Sequence, residues 1–142
     1  GIIVLEQDTG LNDFIETGIE VDGKVSSGLL INIFMPNTPL HDGAVILRKN
    51  RIAAAGCFLP LTDNQNLNKQ LGTRHRAGIG LTEISDSLVV IVSEETGIIS
   101  LARDGKLSRY LDLKSLKEIL KNQYISKEFK PPVWPKWGER NE

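Results

Sequence analysis

Apolar residues fall in short runs separated by polar or glycine-containing breaks, and the period within each run predicts its element. Ile2–Leu5 is an unbroken apolar run and reads as a short buried strand. Leu11, Phe14 and Ile15 share one helical face, with Asp8 or Thr9 as the candidate cap. Val21-Asp22-Gly23-Lys24 reads as a turn. Leu29, Leu30, Ile33 and Phe34 predict a second helix entered through Ser26 or Ser27; Pro36 ends it and Pro39 keeps the next segment extended. Two strands follow in hairpin order, Gly43–Arg48 and Arg51–Phe58, around a tight turn at Asn50. Thr62–Lys69 is polar and reads as a loop, and Gly72–Ile84 predicts a helix entered through Thr73. Ser87–Ser93 is apolar on both faces, the pattern of a central strand. Gly97–Ala102 and Lys106–Tyr110 are further strands, turned at Asp104-Gly105. Leu113, Leu116, Ile119 and Leu120 mark an amphipathic helix of about three turns. Beyond Phe129, three prolines in five residues forbid helix and central strand alike, so 130–142 reads as an extended, flexible tail. The fold class is α/β (α+β): a mixed, mostly antiparallel central sheet flanked by helices on both faces, a single domain over 1–129.

Composition narrows the function. The chain has 142 residues, enough for one core without disulfides, and its formal charge is 17 − 18 = −1. That balance lacks the basic field that nucleic-acid binding needs, so an anionic ligand must be met by a local cluster of cations. The single cysteine, Cys57, lies in an apolar run and fits a small buried hydrophobe in a reducing compartment. No apolar stretch approaches the ~20 residues that span a bilayer. The chain opens inside a strand, from which we expect an N-terminal part beyond Gly1.

Three polar segments stand at the ends of apolar elements, where sheets of this kind place ligands. In Pro39-Leu40-His41-Asp42-Gly43-Ala44, Asp42 could bind a divalent cation or accept a proton, and Gly43 could let a ligand approach the backbone; the plain alternative is an Asp-Gly turn beside a surface histidine. In Gly72-Thr73-Arg74-His75-Arg76, two arginines stand at a helix start, where the dipole disfavours cations unless an anion is bound; the alternative is an exposed basic face. In Val92-Ser93-Glu94-Glu95-Thr96-Gly97, two carboxylates could complete a metal site or form a solvated acidic loop. Together they supply what a nucleotidyl transferase needs: carboxylates for a cation, guanidiniums for phosphates and glycines for close approach.

In this order the segments resemble the paired Asp-Gly-Ala and Arg-His-Arg motifs of diadenylate cyclase domains, with Ser93-Glu94-Glu95-Thr96-Gly97 as a third matching segment. The resemblance runs from about Ile3 to Leu120 and is closest to the membrane-anchored type of Gram-positive bacteria. It implies a metal-dependent condensation of two ATP into cyclic di-AMP, with Mn²⁺ or Mg²⁺ as the cation and Co²⁺ as a further candidate. It also implies a homodimer in which two ATP face each other, regulatory protein partners in the full-length protein, and a place on the cytoplasmic face of the membrane. By the same resemblance Asp42, Arg74, His75 and Arg76 are catalytic, and Asp42, His41 and Glu95 are metal contacts. Gly43, Ala44, Phe58, Leu59, Thr73, Ser93 and Glu94 are substrate contacts, Leu59 meeting adenine. Phe58 stands where relatives often carry Tyr, which keeps a stacking ring and loses a hydroxyl. Gly78 replaces a usual Ala, with little consequence expected beyond some helix destabilisation. A non-catalytic module that senses ATP or cyclic di-AMP is the runner-up. A scaffold acting through the Pro/Trp tail would leave all three segments unexplained.

Overall fold

The computed structural model describes residues 1–69 and 71–128, so the tail expected at 130–142 lies outside the described residues. The strands are β1 (Ile2–Leu5), β2 (Ile19–Lys24), β3 (Ala44–Arg48), β4 (Arg51–Cys57), β5 (Leu88–Val92), β6 (Ile99–Arg103) and β7 (Lys106–Leu111). The helices are α1 (Asn12–Ile15), α2 (Ser27–Ile33), α3 (Thr73–Glu83) and α4 (Leu113–Glu128). Gly1–Tyr110 forms one compact unit, and a second starts at Leu111 and holds α4. In α4, Asp112 caps the first turn, its Oδ1 accepting from the Ser115 N–H at 2.7 Å.

One sheet contains all seven strands in the order β2-β4-β3-β1-β5-β6-β7. Only the β1–β3 pair is parallel among the registered pairs, so the sheet is mixed and mostly antiparallel, as the sequence predicts. The middle position goes to β1, with Ile2 beside Ala44 on one side and Ile91 on the other. The strand expected to be central, β5, is its immediate neighbour. The alternation of β1, β3 and β5 sends Ile2, Val4, Ala44, Ile46, Val89 and Ile91 into one core cluster with Leu11, Ala77, Ile79 and Leu81. Val45, Leu47, Leu88 and Val90 take the opposite parity and are buried too. These strands therefore read as continuous apolar runs rather than alternating ones.

Several local expectations are corrected. Val21–Lys24 is not a turn but the end of β2, where one extra residue between Glu20 and Gly23 forms a bulge. Asp22 takes the left-handed backbone there (φ 46°) and receives Arg51 Nε at 2.8 Å, so cross-strand pairing overrides the turn-like sequence. Neither Asp8 nor Thr9 caps α1. Their N–H groups donate to the Asp86 carboxylate at 3.0 Å each, and Leu11 takes the cap position with its N–H on Glu6 Oε2 at 2.8 Å. Ser26 caps α2 as expected, accepting from the Leu29 N–H at 3.1 Å. At Gly78 a Cβ would meet Ile91 Cδ1 at 2.7 Å and Val89 Cγ1 at 3.2 Å, the ends of two core side chains that would have to shift to admit it. Two residues on, a Cβ at Gly80 would collide with the Pro60 carbonyl oxygen, so α3 lies directly against that backbone.

Candidate active site

The register of β3, β1 and β5 decides where the polar segments meet. Asp42 and Gly43 precede β3, while Ser93 and Glu94 follow the antiparallel β5, so both segments emerge at the same end of the sheet with β1 between them. Two strand spacings separate them by roughly 10 Å. The first turn of α3 closes the same end. A cavity of about 600 Å³ results, lined by Asp42, by Gly72, Thr73, Arg74 and His75, by Ser93, Glu94, Glu95 and Thr96, and by Arg109 of β7. That volume falls within the range of small-molecule sites.

The start of α3 is prepared for an anion. Gly72 is extended and offers no side-chain cap, and no acidic residue stands in the first turn. Its leading N–H groups therefore add their partial positive charge to the cavity. Arg74 Nη2 lies 3.1 Å from Glu94 Oε2, so this guanidinium is held at the rim by a carboxylate that an incoming phosphate could replace. Burial, and then the charge of Arg109, lower the His75 pKa and favour the neutral imidazole near pH 7. The 93–97 segment is a tight turn: the Gly97 N–H donates to the Ser93 carbonyl at 2.9 Å, and the Ser93 N–H to that of Ile98 at 3.0 Å. Glu94 and Glu95 are exposed on it.

Not every expected contact reaches the cavity. His41 is absent from its lining; its Nδ1–H donates to the Thr38 carbonyl oxygen at 2.7 Å. Arg76 is also absent from the lining, because residues two apart on a helix do not share a face, while its carbonyl accepts from the Thr62 N–H at 3.1 Å. Ala44 is fully buried in the core, so its methyl is a packing group. Gly43 has φ 96°, and a Cβ there would come within 2.8 Å of the Cys57 carbonyl oxygen. The missing side chain thus permits a close approach to the β4 backbone. Phe58 is 71% exposed and Leu59 packs on the core, both outside the cavity lining. Cys57 is buried and its thiol pKa is pushed up to about 11 by desolvation, an inert group as expected.

Arg109 is the cavity residue that the sequence reading missed. The signal was present: in Leu107-Ser108-Arg109-Tyr110-Leu111 the arginine takes the parity of the inward leucines.

Among the described residues no group of three His, Cys, Asp or Glu side chains stands ready to hold a metal ion. Asp42 and Glu95 still supply oxygen donors to the cavity, which suits a hard cation that takes one or two carboxylates and completes its shell with substrate phosphates.

Fold and cavity together define an α/β domain with a charged cleft at one end of its sheet. Within that class the chain belongs to the DAC family, described as DisA bacterial checkpoint controller nucleotide-binding, which matches residues 1–107. It is 57% identical over 123 residues to the cyclic di-AMP synthase CdaA of Bacillus subtilis, covering 87% of this chain and 45% of that protein. It is 51% identical over 137 residues to a diadenylate cyclase of Listeria monocytogenes, covering 96% of this chain and 50% of that one. The chain thus spans about half the length of the curated relatives it matches. Its fold is similar to the crystal structure of a double mutant of DacA from Staphylococcus aureus, with a TM-score of 0.84 and 52% identity over 87% of this chain and 82% of that one. It is also similar to a hypothetical membrane spanning protein from Bacillus cereus, with a TM-score of 0.75 and 45% identity over 78% of this chain and 54% of that one.

Proposed function

We propose that the chain is a diadenylate cyclase domain, which condenses two ATP into cyclic di-AMP and releases two pyrophosphates. The observation that carries this reading is the single cavity joining Asp42, the uncapped start of α3 and the Ser93–Thr96 turn. Each ribose 3′-oxygen forms a bond to the other nucleotide's α-phosphorus. The bond from that phosphorus to the bridging oxygen breaks, and pyrophosphate leaves with the electron pair. Asp42, an exposed carboxylate in the cavity lining, would accept the 3′-hydroxyl proton. Arg74 exchanges Glu94 for a phosphate oxygen, and the leading N–H groups of α3 with neutral His75 take further phosphate oxygens. A divalent cation, Mn²⁺ or Mg²⁺ with Co²⁺ a further candidate, would be held by Asp42 and Glu95 and offset phosphate charge.

A single cavity holds one nucleotide and offers no second one to attack. The reaction therefore needs two protomers facing across a two-fold axis, each ATP supplying the other's nucleophile. His41, Arg76, Phe58 and Leu59 lie outside the single-chain cavity, so any contact they make with nucleotide belongs to that assembled state. No helix among the described residues is long and apolar enough to cross a membrane. We place the domain on the cytoplasmic face, anchored by a segment outside this chain, because the reaction needs cellular ATP and the family includes membrane-anchored relatives. Regulatory proteins would act there on the full-length protein.

The test is incubation with ATP and Mn²⁺, then mass analysis of the nucleotides and a pyrophosphate assay. Cyclic di-AMP and two pyrophosphates per product are expected, with rate per protomer rising with protein concentration until dimers dominate. Binding of ATP with no cation-dependent pyrophosphate release would favour the sensing module instead.

A further inference from the structure

Arg109 differs from Arg74, the other guanidinium of the cavity, in having no ion-pair or hydrogen-bond partner among the described residues. Arg74 is engaged by Glu94, whereas no ion pair or hydrogen bond to Arg109 is present among the described residues. Its Nε is buried with no acceptor, yet its two terminal nitrogens are neither buried nor bonded, and the residue lines the cavity with Asp42, His75 and Glu95. Burying a guanidinium donor without an acceptor is unfavourable, and folded proteins leave few such groups.

The backbone next to it is also unusual. Successive strand side chains point to opposite faces, which would carry the Tyr110 ring away from Arg109. Tyr110 instead has φ 61°, a left-handed conformation rare for a bulky side chain, and the Arg109 guanidinium carbon lies 5.0 Å from its ring centroid. Aromatic stacking fixes the plane of a guanidinium while leaving its terminal N–H groups free. The left-handed backbone at Tyr110 therefore holds an oriented fork, open to the cavity, at its wall.

Resting on the proposed nucleotide site, we infer that Arg109 clamps the polyphosphate of the bound nucleotide, acting as the pre-oriented cation of the pocket while Arg74 must first leave Glu94. A fork of parallel N–H groups matches two phosphate oxygens, and the unpaired charge offsets part of the triphosphate's own.

The experiment measures dissociation constants of ATP and of inorganic pyrophosphate, with Mg²⁺ in constant excess, for the full chain and for Arg109→Gln and Arg109→Lys. Loss of one charge-assisted fork should weaken both ligands in Arg109→Gln by roughly tenfold to a hundredfold. Arg109→Lys should recover only part, because an ammonium cannot offer the fork. The unfolding midpoint without ligand should stay near that of the parent chain. If Arg109→Gln loses folded structure, Arg109→Lys carries the same comparison. Wild-type-like binding of ATP and pyrophosphate by either folded variant overturns the role of Arg109 alone. A parent chain that binds neither ligand overturns the cyclase reading and this inference with it.

Discussion

The two ends of the same three strands carry the same kinds of charge and use them in opposite ways. Where β1 and β3 end, Glu6 accepts from Arg48 Nε at 2.7 Å, Arg48 Nη2 at 2.9 Å and the Leu11 N–H at 2.8 Å, and Arg48 also donates to Asn12 Oδ1 at 2.6 Å. The Glu6 side chain is only 8% exposed, and these bonds hold its carboxyl below the usual glutamate range. At the other end Glu94 is 51% exposed on a single contact to Arg74, Asp42 is exposed, and Arg109 has no ion-pair or hydrogen-bond partner among the described residues. Charges that find their complements within the chain bind α1 to the sheet. Charges left without complements define where something else must sit.

The largest expected effect breaks the open end. Asp42→Asn is isosteric, removes an exposed charge and should lower cyclase turnover by at least ~10²-fold with no change in unfolding midpoint. Near-parental pyrophosphate release from this variant would remove Asp42 from catalysis. Arg74→Ala should weaken ATP binding by about 1.5–3 kcal/mol, and Arg74→Lys should restore part of it; calorimetric titration decides.

Glu6→Gln tests the closed end and should reverse the pattern. Stability should fall by about 1.5–3 kcal/mol, while turnover per folded molecule stays the same. The sign with pH follows from the depressed Glu6 pKa. Its contribution is complete above the ordinary glutamate value of about 4.3 and is lost as pH falls through the lower folded value. Denaturation curves between neutral and acid pH should therefore converge for parent and variant as pH drops, and a gap that stays constant would contradict the assignment.

The smallest effect belongs to Asp22, whose pair with Arg51 is exposed on both sides, 67% and 54%. Asp22→Asn suits the left-handed backbone there and should cost less than about 1 kcal/mol, vanishing in high salt. A loss as large as that of Glu6→Gln would mean that exposure does not separate the two clusters.

Much of this was legible in the sequence because local pattern and tertiary need agree. The apolar runs of β1, β3 and β5, the Ser26 cap and the Asp104-Gly105 turn each carry their own signal. Three of the segments that meet in the cavity stood out as polar stretches at element ends. What was not legible depends on register and contact. Val21–Lys24 looks like a turn until β4 pairs with it, and only the three-dimensional neighbours show that Gly78 and Gly80 are packing positions. Arg109 hid inside an ordinary alternating strand, and the helical phase that turns Arg76 away from the single-chain cavity is not visible in the motif that joins it to Arg74.

The middle position of β1 also governs how the domain can assemble. Its partners lie far along the chain, Ala44 on one side and Ile91 on the other of Ile2, so both of its pairings close long loops and form slowly. Without β1 the sheet would divide into β2-β4-β3 and β5-β6-β7, each with the inner strand of the finished sheet as a bare edge. Those edges, Ala44–Arg48 and Leu88–Val92, are apolar on both faces and carry unpaired backbone donors and acceptors. A four-residue strand thus serves as the keystone of folding, and polar substitutions in Ile2–Leu5 should surface first as aggregation of newly made chains.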